Sequence, residues 1–63
     1  MPTLTVARET FEELGVTLRD LREPTLHGHA RRALEPLLAS RGFDLTMEIE
    51  FTILADDSIV LTQ

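Results

Sequence analysis

The sequence contains no cysteine and no long apolar run, and each absence narrows what the chain can be. Without cysteine there is no disulfide framework, zinc ribbon or thiol chemistry. No apolar segment approaches the roughly 20 residues that span a bilayer, and the N-terminus shows no charged and then apolar leader. We therefore expect a cytoplasmic protein that does not enter a membrane.

The length of 63 residues predicts one domain with one small core, covering residues 1–63. Folding a chain of this size buries about 6,200 Å² of surface, and the apolar part of that area contributes about 93 kcal/mol. Ordering the chain costs about 95 kcal/mol of conformational free energy. The two terms cancel, and neither a disulfide nor an evident metal site adds stability. Association is the remaining common source, so we expect a homodimer.

Charge is distributed unevenly along the chain, whose net charge is −5. All six basic residues are arginine, and five of them lie in residues 17–41 beside three acids, a net charge of +2. Residues 42–63 contain five acidic residues and no basic one. An acidic chain repels nucleic acid unless its few cations form one patch. The patch that the sequence offers to nucleic acid or another anion consists of Arg19, Arg22, Arg31 and Arg32.

The clearest structural signal is an alternation of apolar and polar residues near the C-terminus. Apolar residues occupy positions 45, 47, 49, 51 and 53, with Thr or Glu between them. Nine residues of period two are typical of a half-buried strand. Residues 55–58 have turn composition, and apolar residues 59–61 follow. The sequence predicts a β-hairpin over about 45–54 and 58–62. Its longer first strand needs a further partner, which is either an N-terminal strand over 3–7 or a second copy of the chain.

An amphipathic helix precedes the hairpin. Apolar residues recur at helical spacing from Leu26 to Leu38, Thr25 has the chemistry of an N-cap, and Gly42 provides a typical stop. Pro36 predicts a kink, with a split into two helices as the alternative. The predicted fold class is therefore α+β, a small two-layer domain whose hairpin-based sheet packs against a helix at about 26–41.

The N-terminal third allows two interpretations. Residues 10–13 have the sequence of a capping box, which favours one helix over 11–22 with Gly15 inside it. Alternatively Gly15 ends a short helix and Thr17 caps a second one, and we prefer this arrangement. The predicted core comprises Phe11, Leu14, Leu34, Leu37, Leu38, Leu45, Met47, Ile49, Phe51, Ile53, Ile59 and Leu61.

The two histidines, His27 and His29, lie on either side of Gly28. Side chains two residues apart on a helix point about 200° apart, so they share a metal only in an extended segment. No third ligand lies at a familiar spacing. We interpret both as solvated residues near a helix start, with a metal or acid–base site as the alternative, and we predict no cofactor.

Four acidic residues mark the hairpin. Glu48 and Glu50 share the polar side of the long strand, and Asp56 and Asp57 lie at its turn. Acidic residues here keep an open sheet face soluble, and the functional alternative is an acidic face that binds a partner protein with a basic surface. Paired carboxylates can perform acid–base chemistry. The chain lacks a nucleophile–base pair and a pocket-sized core, so we do not predict an enzyme.

Two family resemblances bear on function. The sequence resembles a winged-helix DNA-binding domain in residues 17–21 (TLRDL), 29–38 (HARRALEPLL) and 57–62 (DSIVLT). That resemblance implies that the second of two packed helices enters the major groove and that the hairpin forms the wing. Arg31 and Arg32 would then contact bases or phosphates. Residues 14–18 (LGVTL), 47–50 (MEIE) and 56–61 (DDSIVL) are similar to strands of the AbrB/MazE swapped-hairpin transcription factors and antitoxins.

The leading functional hypothesis is a small non-enzymatic protein-interaction or regulatory module that acts as a homodimer. The first alternative is a DNA-binding regulator or antitoxin that uses the arginine-bearing helix. The second is an acidic inhibitor of a nucleic-acid-binding protein. Arginines gathered on one face would favour DNA binding, whereas arginines beside carboxylates would favour the interaction module.

Overall fold

The computed structural model describes residues 2–63, which form a small α+β fold of the predicted class. The elements in chain order are β1 (Thr3–Val6), α1 (Arg8–Glu13), α2 (Leu18–Arg22), a 3-10 turn (Pro24–Leu26), α3 (His27–Ser40), β2 (Glu50–Ile53) and β3 (Ile59–Thr62). Within residues 2–63, every helix is too short or too polar to cross a bilayer.

The three strands form one antiparallel sheet in the order β1-β3-β2. In the central strand β3, Leu61 lies between Leu4 of β1 and Phe51 of β2. The predicted hairpin and the predicted N-terminal strand are both confirmed. Because β1 pairs with β3, it does not cover β2. One side of β2 therefore has no neighbouring strand within residues 2–63.

Strand β2 is shorter than the alternation predicts, because Asp44 forms a turn ahead of it. The Asp44 carboxylate accepts hydrogen bonds from the Thr46 backbone N–H at 2.9 Å and from the Thr46 hydroxyl at 2.6 Å. The Met47 N–H also donates to the Asp44 carbonyl at 3.2 Å. An aspartate that bonds the backbone two residues on gives the chain an alternative to strand pairing. Residues 45–47 therefore turn, and the strand begins at Glu50.

The N-terminal third contains two short helices, which confirms the preferred prediction of a break at Gly15. Gly15 has φ of +87° and ends α1. Its N–H donates to the Glu12 carbonyl and the Val16 N–H to the Phe11 carbonyl, which is a Schellman ending. Thr17 and Asp20 form a reciprocal capping box at the start of α2. The capping box predicted over residues 10–13 is wrong, because α1 already begins after Ala7.

Helix α3 runs without interruption through Pro36, so the alternative of two separate helices is wrong. The ring of Pro36 lies on the exposed side of the helix. Pro24 starts the 3-10 turn that leads into α3, so Thr25 lies inside that turn and is not an N-cap. At the other end Gly42, with φ of +80°, gives a second Schellman ending as predicted.

The core lies between the sheet and the helices. Its buried members are Leu4, Val6, Phe11, Val16, Leu21, Ala30, Leu34, Leu38, Phe43, Ile59 and Leu61. Leu37, Leu45, Ile49, Phe51 and Ile53 were predicted to be buried and pack against this cluster only in part. Two predicted core residues are exposed, Leu14 at 41% and Met47 at 56%. Leu14 lies in the turn that follows α1, and Val16 is the buried residue in this part of the chain. Met47 lies in the bend after Asp44.

Candidate functional site

The unpaired side of β2 carries free backbone groups. At the end of the strand, the Leu54 N–H donates to the Ser58 carbonyl at 2.8 Å. Residues of an antiparallel strand direct their N–H and C=O alternately to one side and the other. Thr52 therefore bonds β3, whereas the backbone groups of Phe51 and Ile53 point to the side that no strand occupies. We call these groups the free edge of β2.

A groove of about 340 Å³ lies beside this edge. One wall is formed by His27, Gly28 and Arg31 of α3, and the other by residues 48–51. Successive side chains of an extended segment point to opposite faces. A cavity on one face would be lined by every second residue of the segment. Since residues 48–51 all line this cavity, it runs along the edge of the segment. The groove thus places α3 opposite the backbone of residues 48–51.

The helical wall combines an aromatic contact with hydrogen-bond donors. The Nε2–H of His27 donates to the Leu21 carbonyl at 2.7 Å, and its ring meets Phe51 edge to face with centroids 5.2 Å apart. The half-buried Arg31 guanidinium donates to the Leu45 carbonyl. Because a guanidinium has five N–H donors, Arg31 retains others for a ligand.

Gly28 has no role in the fold that explains its identity. It lies in the first turn of α3 with an ordinary φ, and, apart from that helix's own backbone and the two chain neighbours, a Cβ at this position would meet no atom of residues 2–63 within 4 Å. Glycine inside a helix costs about 0.5–1 kcal/mol relative to alanine. The effect of the missing side chain is to keep the helical wall open beside β2. The sequence shows only that Gly28 lies between two histidines near a helix start, because its position in the groove depends on tertiary packing.

Glu48 and Glu50 form an acidic pair on the strand side of the groove, with no cationic partner among residues 2–63. Both are exposed, and both also line a second cavity of about 190 Å³ together with Thr62 and Gln63. Within residues 2–63, the ion pairs closer than 4 Å are Arg8 with Glu12 and with Asp57, and His29 with Asp20. Neither Glu48 nor Glu50 has a cationic partner among them.

The two aspartates of the predicted acidic face lie at the opposite end of β2 and are engaged there. Asp57 has φ of +67° and accepts a hydrogen bond from Arg8 at 3.0 Å. Asp56 accepts hydrogen bonds from the hydroxyl and N–H of Ser58, and these bonds lower the pKa of its carboxyl. The structure therefore separates Asp56 and Asp57, which hold the turn, from Glu48 and Glu50, which no other described side chain pairs with.

The four arginines of the predicted anion patch are also divided. Arg19, Arg22 and Arg32 are exposed, whereas Arg31 is half-buried and bonded to Leu45. Consecutive residues on a helix point about 100° apart, so Arg31 faces the groove and Arg32 faces solvent. None of the four forms an ion pair closer than 4 Å with another described residue.

The remaining sequence candidates do not form a common site. His27 contacts Leu21 and Phe51, whereas the exposed His29 lies with its Nε2 3.9 Å from an Asp20 carboxylate oxygen. The strand that the AbrB/MazE resemblance implies over residues 14–18 is absent, because these residues form a turn and the start of α2. No protein-family model matches this chain, and no curated protein or solved structure is detectably similar to it.

Proposed function

We propose that this chain is a non-enzymatic protein-interaction module that binds an extended segment of another protein as a fourth strand on β2. The observation that carries this proposal is the free edge of β2, where Phe51 lines the groove and Ile53 continues the outward backbone groups along the strand. Strand addition of this kind draws its affinity from main-chain hydrogen bonds and its specificity from the pockets that receive alternate side chains.

The partial exposure of apolar residues supports the same surface. Ile49, Phe51 and Ile53 reach the core but remain half-buried, and Leu54 is exposed next to them. An added strand would cover these side chains and remove apolar area from water, which favours association. The groove therefore offers both backbone pairing and apolar contact to the same ligand.

Selection of random linear peptides on the immobilised protein tests this function. Selected peptides should lose affinity by about tenfold or more for Ile53→Pro and for Gly28→Trp. Proline at position 53 removes an outward N–H and leaves the Thr52 pairing with β3 intact, and tryptophan at position 28 fills the groove. Ala39→Trp, at an exposed position near the end of α3, is the matched control and should bind normally. Circular dichroism establishes that each variant folds.

Two results would reject the proposal. One is that no linear peptide is enriched. The other is that selected peptides bind both groove variants as tightly as they bind the unchanged chain.

DNA binding is the second candidate function, because α1 and α2 are joined by a four-residue connection and α2 exposes Arg19 and Arg22. Short connections of this kind join the helices of helix-turn-helix domains. The test is titration of duplex DNA at about 50 mM salt, where electrostatic affinity is strong. Binding that the double variant Arg19→Gln/Arg22→Gln abolishes, and Arg8→Gln/Arg41→Gln does not, would establish this function.

A further inference from the structure

We infer that the segment bound at β2 carries a basic residue at every second position, with apolar residues between. The inference rests on the proposed function and specifies the partner's chemistry. It is carried by the two carboxylates Glu48 and Glu50, which lie two residues apart beside the free edge and lack a cationic partner within residues 2–63.

The basic positions follow from strand geometry. Side chains at i and i+2 of a strand lie on the same face, and residues opposite them on a neighbouring strand share that face. Glu50 is the first residue of β2, and Glu48 lies just ahead of the strand. Both are exposed and line the same cavity beside Thr62 and Gln63, which places them on the outer face. Opposite-charge pairs across strands are stabilising, and like charges are destabilising. Lysine or arginine opposite each glutamate therefore matches the edge, whereas an acidic residue there would be rejected.

The positions between the basic residues of the bound segment face the groove wall that α3 forms. Side chains between the basic residues point towards α3 and meet Phe51, the ring of His27 and the open position at Gly28. The Phe51 ring favours an apolar residue there, and the missing side chain of Gly28 leaves room for a large one. Arg31 disfavours a second cation on this side. The match is therefore an alternating basic and apolar strand.

A second copy of this chain does not supply that pattern. None of its three strands contains a basic residue, and residues 42–63 contain none at all. Two β2 edges paired with each other would bring four glutamates onto one continuous sheet. Charge therefore favours a different protein as the occupant of this groove, and self-association becomes an outcome of the test.

The probe is a synthetic peptide of alternating Lys and Val with blocked ends, compared with a peptide of the same composition in which the lysines are grouped. Calorimetry should show that the alternating peptide binds about tenfold tighter. Glu48→Gln/Glu50→Gln should remove most of that preference. Glu9→Gln/Glu13→Gln makes the same charge change on exposed positions of α1 and should leave the preference intact.

Three results would overturn the inference. The first is equal binding of the two peptides, and the second is equal weakening of binding by the two double variants. Either result indicates charge attraction without strand pairing. The third is a sedimenting dimer in which the Phe51 and Ile53 amides are already protected from exchange without peptide, since a second copy then occupies the edge.

The peptide selection keeps the inference and the proposed function separate. Enriched peptides that are sensitive to Ile53→Pro but lack alternating basic residues would retain the function and reject the inference. Absence of any enriched peptide would reject the function itself.

Discussion

The two outer strands pair with β3 in matching register, yet the fold treats them differently. Leu4 and Val6 of β1 are 8% and 3% exposed, whereas Phe51 and Ile53, which lie across β3 from them, remain half-buried. Sequence pattern alone makes the two strands equivalent, because both alternate. The fold buries the core-facing side chains of β1 and leaves those of β2 partly exposed to solvent.

The difference does not arise from backbone pairing. The Gln63 N–H donates to the Pro2 carbonyl at 3.3 Å, which continues the β1–β3 pairing and leaves the backbone groups of Thr3 and Thr5 pointing outward. Both outer strands therefore have an unpaired side within residues 2–63. What distinguishes β2 is the adjoining groove, lined by two carboxylates that have no cationic partner among residues 2–63. This difference in side-chain surroundings is why the proposed binding site lies on β2 and not on β1.

The largest expected effect is on stability. Leu4→Ala should lower the free energy of unfolding by about 2–4 kcal/mol, because it leaves a cavity in the core. Ile53→Ala removes a side chain of similar size from a half-buried position and should cost about 1–1.5 kcal/mol. Urea unfolding followed by circular dichroism suits this chain, which has neither Trp nor Tyr. Equal losses would show that the two strands are equally well covered.

Gly28→Ala should have a smaller effect of opposite sign. Alanine favours the helix by about 0.5–1 kcal/mol, and no described residue obstructs its Cβ. The unfolding midpoint should rise while m stays constant. If the variant is instead less stable, the glycine serves the fold, and the argument that it keeps the groove open fails.

The smallest effect is the loss of stability at low pH. Acid should weaken the turn that connects β2 and β3 and should not affect the β1–β3 pairing, because neither β1 nor β3 has an ionisable side chain. The Ser58 hydrogen bonds lower the pKa of Asp56 below its ordinary value. The stabilisation is therefore present above an unfolded pKa of about 3.9 and is lost as pH falls through the lower folded pKa. Ser58→Ala should raise the Asp56 midpoint in an NMR titration. An unchanged midpoint would show that the Ser58 hydroxyl does not cause the shift, since the variant keeps the Ser58 N–H bond.

Local patterns in the sequence predict much of the fold. The stop at Gly42, the cap at Thr17 and the hairpin turn each depend on a few neighbouring residues, and all three are present in the structure. The alternation over residues 45–53 predicts too long a strand, because the Asp44 side chain offers the backbone a competing turn. Sequence periodicity reports the order of apolar and polar residues, and it carries no information about a competing side-chain hydrogen bond.

The candidate site could be predicted only in part. The acidic residues are visible in the sequence. The excess length predicted for the first hairpin strand is absent, because β2 and β3 both have four residues, and β2 is an edge strand because β1 pairs with β3. The groove itself depends on where α3 lies relative to β2, which no local pattern specifies. For the same reason the sequence groups Arg31 with Arg32, although the fold directs Arg31 into the groove.

Amide hydrogen exchange of the dilute protein, read residue by residue by NMR, tests the open edge of β2 most directly. The Thr52 amide, which pairs with β3, and the Leu54 amide, which donates to Ser58, should exchange slowly. Those of Phe51 and Ile53 should exchange rapidly and become protected when a peptide binds. Slow exchange at Phe51 and Ile53 in the free monomer would show that this side of the strand is already paired and would contradict the account.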